Sequence, residues 1–305
     1  MKAVVTGATG FVGTWLVREL LSQGHSVSVI LRDKTKLAQD IKGQVHIVEA
    51  DLAQISELQE ALFVEQDMDL FFHFAWAGTS GMDRASEEIQ LSNVQYTCDA
   101  VRLAKRLHCS RFIYAGSIME YEAMQYIADD GTRPGLGNIY STAKLTADFM
   151  AKTLCVNEGM SYINVLISNI YGAGEYSARF LNTTMRKLMQ NEPVALTHGE
   201  QLYDFIYVTD AVRAICLAAV NGQENETYYI GHSKQKPLKE FVLELKQVLD
   251  SSSKLGFWEV PFAGAMLQYN EFDAAKLETL GFVPQVSFAD GVTLTKRWMM
   301  EVMHE

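Results

Sequence analysis

Along the first half of the chain, short apolar runs alternate with stretches whose apolar residues recur every three or four positions. The run from Lys2 to Thr6 is followed by Gly7, Gly10 and Gly13 and then by Thr14–Leu21 at helical spacing, which predicts strand, tight turn and helix. Gly24–Leu31, Val45–Glu49, Asp69–Ala75 and Arg111–Ala115 read as further strands, and Gln54–Gln66, Arg84–His108 and Asn138–Asp148 as helices. Asp69–Ala75 is almost wholly apolar, as expected where helices cover both faces of a parallel sheet. The alternation predicts an α/β fold: a Rossmann-type, right-handed, doubly wound parallel sheet. Residues 234–305 have fewer strand signals and carry Phe257, Trp258 and Phe262 near Pro261, which suggests a smaller C-terminal substrate lobe. The expected division is 1–172 with 204–232 for the dinucleotide-binding domain, and 173–203 with 233–305 for the smaller lobe.

Composition narrows the class. A chain of 305 residues has length enough for a core without disulfides, and Cys98, Cys109, Cys155 and Cys216 form no CxxC pair, so buried reduced thiols and a cytoplasmic location are expected. There is no run of 18 apolar residues and no room for a signal peptide before the first strand, so no membrane association is expected. A net charge of −11 without a basic cluster argues against nucleic acid, and the seven histidines show no ligand spacing, so no metal is expected.

Each of the three glycines sits where a side chain would be an obstacle. The first permits the bend, the second lets a pyrophosphate approach, and the third lets helix and strand pack closely. The helix start beneath them favours a phosphate. After the second strand, Arg32 suits a 2′-phosphate better than Leu31 or Asp33 suit a free ribose, so NADP(H) is favoured, with NAD(H) possible. Asp51 and Leu52 end the third strand beside the expected adenine, and Ala75, Trp76, Ala77 and Gly78 keep the backbone mostly small where a cofactor would pass. Ser117 follows the fifth strand. Tyr140 and Lys144, four apart, share one helix face, the pair that carbonyl reduction requires: a phenol ionises near pH 10 unless an ammonium lies beside it.

Thr6-Gly-Ala-Thr-Gly-Phe-Val-Gly13, Asp51-Leu52, His73-Phe-Ala75, Asn93-Val94, Ser117 four before Tyr121, and Tyr140-Ser-Thr-Ala-Lys144 together resemble the extended short-chain dehydrogenase/reductase family. The likeness is to its nucleotide-sugar epimerases, dehydratases and 4-ketoreductases, and continues through Asn169-Ile-Tyr-Gly172, Asp204–Asp210, Phe272–Lys276 and Leu280–Pro284. It implies that Tyr140 is the acid/base, that Lys144 lowers its pKa and binds the nicotinamide ribose, and that Ser117 polarises the carbonyl. By the same likeness Gly7, Thr9, Gly10, Phe11, Val12, Gly13, Phe74, Ala75, Trp76, Ala77 and Ile170 line the cofactor, while Asn169 approaches the substrate phosphates. Tyr203 stands where the family often has a diphosphate-binding arginine, and Ala173 where it usually has proline; Arg179 or Arg186 could supply the charge.

The leading expectation is therefore an NADPH-dependent reductase of a keto-sugar nucleotide, with Tyr140 as proton donor. The alternatives are an NAD-dependent epimerase or dehydratase using the same residues, and a non-catalytic NADP-sensing protein. Ile118 and Met119 supply no acid pair of the kind a dehydratase uses beside the serine. The resemblance also suggests a homodimer built from the helices at 84–108 and 138–157, with Leu103, Leu107, Phe149 and Leu154 serving that contact or the core.

Overall fold

The structure, a computed structural model, describes residues 1–63, 67–129, 131–262, 266–267 and 269–303. It contains two compact units: Met1–Ile167, Val212–Tyr229 and Ala275–Phe282 form the larger, and Ser168–Ala211, Ile230–Ala274 and Val283–Glu305 the smaller.

The larger unit is built on β1 (Lys2–Thr6), α1 (Phe11–Ser22), β2 (Ser26–Leu31), β3 (His46–Glu49), β4 (Leu70–His73), α2 (Glu87–Arg106), β5 (Arg111–Ser117), α3 (Met119–Ala128), α4 (Asn138–Asn157) and β6 (Ser161–Ile167). Its seven-stranded sheet runs β3-β2-β1-β4-β5-β6, with Glu226–Ile230 beyond β6, and every pair among β1–β6 is parallel. The order reverses between β1 and β4, so the chain leaves these two strands in opposite directions and opens a crevice at their carboxyl ends.

Register explains the core. Val4 lies beside Phe71, Phe71 beside Phe112, and Phe112 beside Tyr162, which puts all four on one face of the sheet. The rings stack at 5.4 Å (Phe71–Phe112) and 6.5 Å (Phe112–Tyr162). Against that face lie Val101 and Ala104 of α2, Leu107 at its C-cap, and Ala143, Ala147 and Ala151 of α4, whose four-residue spacing keeps small side chains toward the core. Leu103 and Leu107 are thus core residues and Leu154 packs partly buried beside them, whereas Phe149 is 71% exposed. All four cysteines are buried and unpaired. Among the described residues no helix is long and apolar enough to cross a membrane.

Two local expectations change. The segment expected to be a helix over Gln54–Gln66 forms 3₁₀ turns at Leu52–Glu57 and Glu60–Leu62, and its last three residues lie outside the described ones. Leu58, between the turns, is extended, and the Arg106 guanidinium donates to the carbonyl oxygens of Ser56 and Leu58, giving the backbone partners outside a helix. Conversely, α3 begins immediately after Ser117, where only a serine-bearing strand end was anticipated; the Ser117 hydroxyl accepts the N–H of Met119 and starts the turn.

In the smaller unit Asn169–Tyr171 pairs in parallel with Phe205–Tyr207. Phe205, Phe241 and Phe288 pack edge-on or tilted at 4.8–5.7 Å, with Tyr171 against Phe288. Two buried aspartates act as backbone clamps: Asp204 accepts the N–H groups of His232 and Ser233, and Asp210 those of Gln285 and Val286.

The β1–α1 turn depends on close backbone approach. Gly7 has φ +82°, and a Cβ there would lie 2.6 Å from the Phe74 carbonyl carbon, while a Cβ on Gly13 would run into the Gly7 carbonyl oxygen. Gly13→Ala is expected to lower stability by about 1–3 kcal/mol, measured by urea unfolding; an unchanged midpoint would mean that the turn can move aside.

Candidate active site

A cavity of about 240 Å³ opens in the larger unit beside the glycine turn, lined among others by Gly7, Gly10, Arg32, Asp51, Ala75 and Trp76. Of the other expected cofactor residues, Thr9, Leu52, Phe74 and Ala77 also border it, and Phe11, Val12 and Gly13 form the first turn of α1. That helix starts at Gly10 with no side-chain cap, so its first N–H groups are served by no side-chain acceptor. A narrow cleft bounded by glycine backbone and an uncapped helix start fits a dinucleotide pyrophosphate.

The opposite wall is fixed by polar side chains on the buried face of α2. Gln90, Asn93 and Thr97, three and four residues apart, are all buried. Asn93 donates to and accepts from the Ala77 backbone, both at 2.9 Å. Gln90 accepts the Trp76 indole N–H at 2.9 Å and donates to the carbonyls of Gly78 and Asp83. Thr97 gives its hydroxyl hydrogen to the Asn93 carbonyl and therefore accepts from His73 Nε2–H at 3.2 Å. His73 Nδ1 is then a bare acceptor for the Thr6 hydroxyl at 3.0 Å, and the Thr6 oxygen takes the N–H groups of Phe74 and Ala75. A proton on Nδ1 would oppose this chain. Burial, with the Lys144 charge adding, holds the His73 pKa down at about 3.

Lys144 is buried with 5% exposure, and its ammonium donates to the Ala115 carbonyl at 2.9 Å. It lies 3.7 Å from the centre of the Trp76 ring and 5.1 Å from that of Tyr114. Burial pulls its pKa down to about 7, against the opposing pull of Glu120 and Asp148. Tyr140, one turn earlier on α4, is 8% exposed, sits edge-on to Trp76 at 6.2 Å, and carries the Arg84 guanidinium 4.2 Å from its ring centre. Ser117, at the end of β5, is half-buried, and its N–H is held by the Glu120 carboxyl at 2.9 Å. Glu120 also accepts from Asn164 at 3.2 Å, and burial pushes its pKa well above the usual carboxylate value. Glu122, the other buried acid of α3, accepts the Ser141 hydroxyl at 2.7 Å.

At the far end of the cavity the expected charges are paired differently. Arg32 Nε lies 3.7 Å from the Asp51 carboxylate. Asp33 accepts both the N–H and the hydroxyl of Thr35, hydrogen bonds that lower its pKa, so its carboxylate closes a turn of its own. The remaining expected site residues belong to the smaller unit. Asn169 donates to the Asp204 carbonyl and the Tyr269 hydroxyl, Ile170 is buried in its strand, and Arg179 lies 4.0 Å from the Glu175 carboxylate. Tyr203 is stacked on Phe205.

Several residues that shape this region are absent from the sequence expectations: Arg84, Gln90, Tyr96, Glu120 and Asn164. One signal was available for Gln90, namely a polar residue within the apolar stripe of an amphipathic helix, beside Asn93 and Thr97.

Comparison with known proteins follows the same outline. The model of the family described as "NAD dependent epimerase/dehydratase family" matches residues 3–231. A UDP-N-acetyl-alpha-D-glucosaminuronate decarboxylase of Bacillus cytotoxicus is 24% identical, covering 100% of this chain and 99% of its own. A dTDP-glucose 4,6-dehydratase of Streptomyces niveus is 27% identical over 98% of this chain and 92% of its own. The solved structure of UDP-glucuronic acid 4-epimerase from Bacillus cereus, in complex with UDP-glucuronic acid and NAD, superposes with a TM-score of 0.80 at 19% identity, covering 99% of this chain and 100% of that one.

The His73 arrangement predicts a pH dependence of stability. In the unfolded chain the imidazole takes up a proton near its ordinary value of 6.5, and in the folded chain only near 3. Between those values the unfolded state binds more protons, so this group's contribution to stability is complete above pH 6.5 and declines as the pH falls, by about 1.4 kcal/mol per unit. Unfolding of wild type and His73→Gln from pH 7 to 4 is expected to show the shallower slope in the variant; parallel slopes would refute the neutral, buried imidazole.

Proposed function

Because the chain belongs to the NAD-dependent epimerase/dehydratase family, we propose that it is a cytoplasmic nucleotide-sugar epimerase that oxidises a sugar hydroxyl transiently and reduces the resulting ketone from either side. The larger unit holds the dinucleotide and the smaller unit the substrate. The observation that carries this reading is the pairing of buried Lys144 with Tyr140 on one helix turn, beside a cavity bounded by glycine backbone. A nicotinamide dinucleotide bound beside the glycine turn would supply a reversible hydride acceptor. Tyr140 takes the hydroxyl proton at its phenolate oxygen and gives it back, Lys144 stabilises that phenolate, and the Ser117 hydroxyl donates to the developing oxyanion.

Net reduction, the leading expectation from sequence, loses support. The names of the relatives describe a decarboxylase, a dehydratase and an epimerase of nucleotide sugars; oxidation of a ring hydroxyl to a ketone prepares the first two by weakening neighbouring bonds and the third by making the carbon planar, so that hydride can return to either face. Between dehydration and epimerisation the local chemistry favours epimerisation. Elimination needs an acid and a base near the serine, but Ile118 and Met119 are neither, and Glu120 and Glu122 are engaged with Ser117 N–H, Asn164 and Ser141.

The same reading assigns NAD(H) as cofactor. The preference for NADP(H) rested on Arg32 as the ligand of a 2′-phosphate, whereas Asp51 lies beside it and would repel that phosphate. A homodimer belongs to the proposal too, with Phe149 and Val156, seven apart and exposed on α4, as its apolar contact; a monomer at all concentrations in light scattering would refute it.

Denaturing the purified protein is expected to release NAD, and incubation with UDP- and dTDP-hexoses without added cofactor to give the epimer by proton NMR. A requirement for stoichiometric NADPH would restore the reductase, and a 4-keto-6-deoxy product the dehydratase. Tyr140→Phe is expected to retain the cofactor and lose about 10²–10⁴-fold in turnover; wild-type turnover would remove Tyr140 from the mechanism. Arg32→Ala is expected to change NAD affinity by less than about 3-fold, since an exposed ion pair contributes little; tighter binding of NADPH than NADH by the wild type would overturn the cofactor assignment.

A further inference from the structure

We propose that Arg84 is a positioning residue for proton transfer: its guanidinium, held over the Tyr140 ring, supplies the fixed positive charge that keeps the phenolate accessible at neutral pH. The inference rests on Tyr140 being the acid/base of the reading above.

Lys144 is not the sole source of that charge. Its ammonium is out of water against Ala115, Trp76 and Tyr114, and burial favours its neutral form. A guanidinium does not lose its proton in a protein. Arg84 places that group over the ring face, 4.2 Å from the Tyr140 ring centre, a cation–π contact whose attraction grows as the ring takes on the negative charge of the phenolate. Among the described residues it makes no ion pair that would neutralise it.

The position is built by the backbone. Arg84 lies in the 3₁₀ turn Met82–Ala85, entered through Gly81 at φ +67°. Gln90, fully buried, donates to the carbonyls of Gly78 and Asp83 on either side of that entry and accepts from Trp76, and Ser86 caps α2 directly behind it. The guanidinium is therefore delivered to Tyr140 by a braced loop. Among the described residues, the other titratable groups that the structure places around Tyr140 do not supply this charge. Tyr114 on β5 and Glu120 on α3 are driven toward their uncharged forms by burial, Asp148 lies deeper on α4 against Tyr162, Glu122 is bonded to Ser141, His73 on β4 is neutral, and Asp83 is exposed.

The test reads Tyr140 directly. Near-ultraviolet phenolate absorbance of the protein as purified is titrated for wild type, Arg84→Met, Arg84→Gln and Arg84→Lys, each minus the same protein carrying Tyr140→Phe. Both charge-free variants are expected to raise the Tyr140 midpoint by about one pH unit or more, and Arg84→Lys to restore most of the shift. The acidic limb of kcat/KM should move by the same amount, giving about a 10-fold loss at neutral pH that is recovered at higher pH. A midpoint unmoved in the folded charge-free variant overturns the proposal, as does a loss of activity that Arg84→Lys fails to rescue. The titration uses no sugar, so inactivity of every protein toward nucleotide sugars would count against the epimerase reading while the Tyr140 midpoints still decide for or against Arg84.

Discussion

A lysine ammonium removed from water is the constraint on which the architecture of the larger unit turns. An isolated buried charge costs several kcal/mol, and Lys144 is tolerated because its surroundings supply an oxygen and two ring faces: the Ala115 carbonyl, Trp76 and Tyr114. The partners and the lysine come from three places in the chain. Ala115 and Tyr114 require β5 inside the sheet, Trp76 requires the loop after β4, and the lysine requires α4 to lie close, which Ala143, Ala147 and Ala151 permit. The remaining deficit shows in the depressed pKa of Lys144.

The loop after β4 ties this centre to the glycine turn. Thr6, at the end of β1, hydrogen-bonds the backbone of Phe74 and Ala75 and the ring of His73, and the ring is held from its other side by Thr97 of α2. Gly7 lets the two loops touch, because any side chain there would meet Phe74 and Ala75. The cavity beside the glycine turn and the loop that presents Trp76 to Lys144 are therefore parts of one hydrogen-bonded assembly. Burial of polar groups here carries specificity: the matched donors and acceptors of Thr6, His73 and Thr97 hold the carboxyl ends of β1 and β4 in one arrangement.

Beneath Ser117 a second polar group is fixed in the same manner. Glu120 accepts from Ser117 N–H and from Asn164, and its carboxyl is pushed toward the neutral form by burial. Gly116 matters for the same reason, since a side chain there would collide with Asn164. The smaller unit uses the complementary device: Asp204 and Asp210 remain acceptors of paired backbone N–H groups and hold loops rather than ligands.

The sequence by itself determined the strand–helix alternation, the glycine turn, the doubly wound class, the serine at the end of β5 and the Tyr140–Lys144 pair, because each is written in local periodicity or in a spacing shorter than two helical turns. What it left open were pairings between distant segments. Arg32 reads as a free cation until Asp51 lies beside it, Asp33 as a ribose ligand until it turns back on Thr35, and the stretch after Asp51 as a helix until Arg106 satisfies its carbonyls. Leu103 and Leu107 read equally as interface or core until the sheet register puts Phe71, Phe112 and Tyr162 in the cluster they join. Arg84 carries no local signal at all, since its meaning lies in the ring it covers 56 positions later. Periodicity is a property of neighbours along the chain, whereas charge pairing and burial belong to neighbours in space, and only the folded backbone makes the second set.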